Sequence, residues 1–145
     1  MVKRLMGTSN DVSLTTLRVV PGVVFFAHGA QRMLGWFGGD GFLISMGGYA
    51  HMGISAPIAL LILCAQFFGG LGLILGLFTR IASLGVAGLM IGAIFMVHLQ
   101  NGFFMNWMGT QKGEGIEYHL LALAMAAALL LRGGGAFSVD RALAE

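Results

Sequence analysis

Four apolar runs divide the chain, at about residues 17–37, 57–78, 81–99 and 116–132. Each is close to the roughly 20 residues that an α-helix needs to cross a hydrocarbon core ~30 Å thick. None alternates apolar and polar residues as a lipid-facing strand would. The pattern therefore predicts an all-α, membrane-embedded four-helix bundle, a single four-span domain over residues 1–145. Little more than Thr79-Arg80 separates the second and third runs, so these must form an antiparallel hairpin with Arg80 at the membrane surface. The fourth run, Ile116 to Leu131, has 16 residues. At 1.5 Å per residue it is about 24 Å long, so its helix is expected to extend past one end, and an upstream extension would place Glu117 and His119 below the outer surface.

The two longer connections, Gly35 to Ala56 and Gln100 to Gly115, are rich in glycine, aromatics and amides. In the first, Phe42, Leu43, Met46, Tyr49, Ala50 and Met52 keep a helical spacing, which predicts a helix lying in the interface or dipping back into the membrane. Ser55 ahead of Pro57 marks the start of the second span.

Composition sharpens this picture. Hydrophobic residues make up 57% of the chain and charged residues 10%, against about 25% charged in soluble domains. Mean hydropathy is +0.87. If Arg80 is cytoplasmic, Lys3, Arg4, Arg18, Arg132 and Arg141 share its side, against Arg32 and Lys112 on the other, so both termini are expected in the cytoplasm. The eight basic residues are scattered and form no patch, which excludes nucleic acid as a partner. Among the 24 glycines, Gly72 with Gly76 and Gly88 with Gly92 form small-xxx-small pairs, read as contact points between helices. The lone Cys64 can form neither an intrachain disulfide nor a CxxC pair, so any redox chemistry needs another carrier.

Polar side chains are costly at membrane depth, and here they gather toward the outer ends of the spans: His28, Gln31, Arg32, His98, Glu117, Tyr118 and His119. His28, Gln31 and Arg32 stand at i, i+3 and i+4 and share one helix face. Glu117 and His119 lie about 200° apart around a helix, so at most one faces the centre squarely. A carboxylate at that depth needs a partner, and Arg32 is the only basic residue nearby, which predicts an Arg32–Glu117 pair. Blander readings compete: Arg32 snorkelling to the outer headgroups, His51 as a hydrogen-bonded loop residue, and Gln66 as an interhelical hydrogen-bond donor. The ten methionines are dispersed and give no copper site, Met90 and Met96 being packing residues. No metal site is expected. Haem would need two histidines facing across the bundle at one depth, which only His28 with His98 could supply, so haem is not expected either. No phosphate-binding glycine loop follows a strand.

The run Gly22-Val23-Val24-Phe25-Phe26-Ala27-His28-Gly29-Ala30-Gln31-Arg32, followed by Gly35-Trp36-Phe37-Gly38-Gly39, resembles the opening of DoxX family membrane proteins. Asn101-Gly102-Phe103-Phe104, Gly115-Ile116-Glu117-Tyr118, and Gly133 to Gly135 with Ser138-Val139-Asp140 are similar to that family's closing pattern, with Gly134 where a proline often stands. The resemblance covers nearly the whole chain. It implies a small four-helix protein of the bacterial inner membrane with a link to oxidoreductase complexes, since relatives include the small membrane subunit of a thiosulfate:quinone oxidoreductase. His28, Gln31, Arg32 and Glu117 match the family's polar motif.

The leading expectation is a redox-associated membrane protein that binds a quinone near the outer face, in a quinone-linked oxidoreductase system. His28, Arg32 and Glu117 are the candidate catalytic residues, for donating a proton, stabilising the reduced anion and relaying protons. Gln31, Trp36, His98, Phe103 and His119 are the candidate binding residues. The alternative is a non-catalytic structural or assembly subunit of a larger membrane complex. Expected partners are the lipid bilayer, other membrane or periplasmic subunits, and further copies of the chain.

Overall fold

The computed structural model describes residues 6–144. Lys3 and Arg4, two of the residues that set the expected sidedness, lie outside them. Helix α1 spans Val12–Leu34, starting earlier than its apolar run because the Asp11 side chain accepts from the Ser13 amide at 2.8 Å and caps it. A 3₁₀ turn, Trp36–Gly38, leads into α2, Gly41–His51, which is the helix expected in the first connection. Helix α3 covers Ala56–Leu75, with Ser55 as its N-cap and proline in its first turn. Helix α4, Thr79–Ala93, runs on through a π turn at Ile94–His98 and a 3₁₀ turn at Leu99–Asn101. Helix α5 spans Glu117–Arg132 and the short α6 spans Val139–Ala144.

Three helical segments among the described residues are long and apolar enough to cross a membrane: Val12–Leu34, Ala56–Leu75 and Thr79–Asn101. The fourth run is not extended upstream by further helix. Instead the amides of Gly115, Ile116 and Glu117 bond to the carbonyls of Phe104, Gly102 and Phe103 at 3.1, 3.2 and 2.9 Å, so the backbone ahead of α5 is satisfied by a tight loop. At 16 residues, α5 is about 24 Å long.

Helix α1 packs on α3, α3 on α4, α4 on α5 and α5 on α1. Phe25, Leu73, Val86, Met90, Ala122, Ala126 and Leu129 fill the space between them. The closest helix approach uses different glycines from those expected. A Cβ built on Gly70 would lie 2.3 Å from the Phe26 nitrogen, and one on Gly29 would lie 2.5 Å from the Phe67 nitrogen, so α1 and α3 touch backbone to backbone. Gly88 and Gly92 have nothing among the described residues within 4 Å of a built Cβ, so neither marks a close helix approach there.

At the end of the bundle that holds residues 6–18 and 130–144, charge is buried to lock the chain together. Arg18, 1% exposed, donates through Nε to the Gly134 carbonyl at 2.8 Å, through Nη1 to Leu73 at 2.8 Å and Ile74 at 2.5 Å, and through Nη2 to Phe137 at 2.7 Å. Asp140, also 1% exposed, accepts from the amides of Phe78 and Thr79 at 2.7 and 2.8 Å and thereby caps α4 from the far end of the sequence. Arg80 donates to the carbonyls of Leu130, Leu131 and Gly7.

Candidate functional site

The opposite, loop-bearing end carries the polar residues singled out above, and the fold sorts them into two groups. The first forms where α1, α2 and α3 meet. The buried stripe of α1, Leu14, Arg18, Gly22, Phe25 and Gly29, brings Arg32 onto the α3 side one turn later. There Arg32 Nη1 donates to Gln66 Oε1 at 2.9 Å and Tyr49 Oη at 3.1 Å, and its Cζ lies 6.0 Å from the Tyr49 ring centroid. Gln66 does bridge helices, but as the acceptor. The expected Arg32–Glu117 pair does not form. The Glu117 carboxylate faces the 102–115 loop instead, where Oε2 accepts from the Met105 amide at 3.2 Å. Glu114 does the same for the Asn106 amide at 2.6 Å, and Asn106 and Gln111 bond reciprocally, so the loop is ordered by its own side chains.

The second group is an imidazole pair between α4 and α5. The stripe His119, Ala122, Ala126 and Leu129 faces inward, which resolves the choice between positions 117 and 119 in favour of the histidine. His119 is 5% exposed and its ring centroid lies 4.1 Å from that of His98. The Tyr118 ring meets His119 edge-on at 5.6 Å. His98 ends the π turn of α4, a helical irregularity that often marks a functional position. Its Nδ1 lies 2.8 Å from the Glu114 carbonyl oxygen. That oxygen can only accept, so Nδ1 carries a proton, which makes Nε2 the acceptor of the singly protonated ring. His119 Nδ1 is buried with no hydrogen-bond partner among the described residues.

The remaining predicted residues join neither group. His28 is exposed on α1 and makes no hydrogen bond or ring contact, so the shared face of His28, Gln31 and Arg32 does not act as a unit. Its position borders the buried stripe, whereas Arg32 falls within it. Gln31 makes a long 3.5 Å bond to the Phe37 carbonyl. Trp36 and Phe103 are about half exposed and stack edge-on against their neighbours Phe37 and Phe104. His51 is exposed at the end of α2. Among the described residues no three histidine, cysteine or acidic side chains come together as a metal site.

Several apolar helices long enough to span a bilayer, with cationic and imidazole groups held between them, define a multi-pass integral membrane protein. The chain belongs to the DoxX family, whose model matches residues 13–99. It is 29% identical over 135 residues to "Putative oxidoreductase CatD" of Bacillus subtilis (strain 168), covering 93% of this chain and 90% of that one. It is 28% identical over 133 residues to "Inner membrane protein YqjF" of Escherichia coli (strain K12), covering 92% and 93% respectively. No solved structure matches. Family membership and the apolar helices make this a multi-pass protein of the bacterial inner membrane, in contact with the lipid bilayer.

Proposed function

We propose that this chain is a redox-associated membrane protein that binds a quinone, or a similar apolar ring with polar oxygens, at the His98–His119 pair. The observation that carries the reading is a buried histidine, unpaired at Nδ1 among the described residues, whose ring centroid lies 4.1 Å from that of a second imidazole. The redox name of one relative supports the same reading. A bound quinone would supply the exchange of electron pairs and protons, for which the chain has no thiol or metal machinery of its own among the described residues. His119 holds a ring oxygen through whichever nitrogen is protonated, and His98 Nε2, fixed as an acceptor by the Glu114 carbonyl, takes or returns a hydroxyl proton. The orientation with both termini in the cytoplasm, and α5 as a fourth span, belong to the same proposal; they would put this site near the periplasmic face.

Titration of the full-length protein in nanodiscs with a short-chain ubiquinone tests the assignment. His119→Leu is expected to weaken binding by about 2 kcal/mol, roughly 30-fold, while the exposed His28→Ala retains it. Equal affinity in wild type and His119→Leu overturns it.

One observation favours a second reading, a structural or assembly subunit. Trp107 and Met108 are 83% and 86% exposed at the tip of a self-ordered loop, close to what a docking surface requires. On that reading Trp107→Ala strips partner proteins from the purified complex without altering its thermal stability. Unchanged co-purification counts against it.

A further inference from the structure

Arg32 is a cation in a membrane-spanning helix whose counter-charge none of the described residues supplies. Both of its partners, Tyr49 and Gln66, are neutral. It does not snorkel outward either. Side chains on a helix point toward its N-terminus, and Arg32 accordingly reaches back to Gln66, which lies half-way along the 20-residue α3. A charge at that depth is costly unless compensated.

The hydrogen-bond inventory says what would compensate it. A guanidinium has five N–H donors, and those of Nη1 go to Tyr49 and Gln66. Nε and Nη2 have no acceptor among the described residues, and neither is sealed off from its surroundings. The Gln66 oxygen faces Arg32, which leaves its amide NH₂ unpaired although the residue is 5% exposed. The Tyr49 hydroxyl accepts from Arg32 and keeps its own proton to donate. The unspent N–H and O–H groups of all three residues are therefore donors gathered around a single positive charge. The open Nε and Nη2 protons lie along one edge of the guanidinium, the edge that grips two oxygens side by side.

These features together specify the ligand. It has a two-oxygen head with one negative charge, and at this depth it must carry an apolar body. We propose that Arg32, Tyr49 and Gln66 bind the carboxylate of an amphiphile whose body lies in the membrane beside α1 and α3. The site is separate from the imidazole pair and does not rest on the quinone reading.

Native mass spectrometry of the full-length protein in phosphatidylcholine nanodiscs, with dodecanoate or dodecanol added, tests this directly. The acid is expected to give a one-to-one adduct and the alcohol, with the same body and no charge, none. Arg32→Gln should weaken the acid adduct roughly 30-fold or more, since truncating one partner of a buried charge pair has that effect. Arg32→Lys, which keeps the charge and loses the two-donor edge, should recover only part of it. His28→Ala, one turn away on the same helix, should leave it intact. Equal adducts of acid and alcohol on the wild-type protein overturn the proposal, as does an undiminished acid adduct in a folded Arg32→Gln variant. Should that variant fail to fold, Tyr49→Phe decides in its place: a loss of a few-fold supports the site, and no loss counts against it.

Discussion

Asp140→Ala is expected to lower the stability of the protein by about 3 kcal/mol or more. Two charge-assisted hydrogen bonds to the amides of Phe78 and Thr79 disappear at once, each contributing about 1.5–3 kcal/mol, and α4 loses its cap inside the bundle. The nearby Arg18, buried with its four carbonyl contacts, loses the negative charge that offsets it. Asp140→Asn keeps an acceptor for one of the two amides without the charge and should fall between. Thermal unfolding of the full-length protein in detergent, followed by circular dichroism, reads the order wild type, Asn, Ala. A stability for Asp140→Ala equal to that of wild type would mean that the C-terminal segment does not hold α4 as described.

Gly70→Ala should disrupt the fold, whereas the same change at Gly88 should be tolerated. A methyl group on Gly70 would meet the Phe26 backbone at 2.3 Å, and backbone cannot rotate out of the way as a side chain can. Helices α1 and α3 must separate, with an overpacking cost of about 1–3 kcal/mol or more. Gly88 has open space around it, so alanine there mainly raises helix propensity, by about 1 kcal/mol relative to glycine. Yield and thermal stability of the two single variants make the comparison. Gly70→Ala matching wild type would count against the close packing of α1 on α3, and a collapse of Gly88→Ala would point to a contact of α4 with another chain.

Much of the architecture was legible in the residues. Apolar runs fix where helices can lie, because a bilayer leaves the backbone no partner but itself, and helix α2 and the Ser55-Pro57 start of α3 follow from local chemistry alone. The polar residues themselves were legible, since few side chains break the apolar pattern. Their pairing was not. Arg32 finds Gln66 and Tyr49 because the glycine contacts of α1 and α3 bring these helices together, and Glu117 turns to the amide of Met105 because a loop amide lies closer than a cation across the bundle. Arg18 read in the sequence as a topogenic charge and Asp140 as part of a closing motif, yet they are among the most buried side chains of the fold. His98 and His119 are 21 positions apart, and only the π turn and the tight loop before α5 bring their rings together. Sequence by itself thus determined the medium, the helices and the set of polar groups, because these depend on transfer from water to lipid residue by residue. Tertiary structure decided which groups meet, because hydrogen bonds act only over about 3 Å and helix contacts set by glycines far apart in the chain determine what lies within that reach.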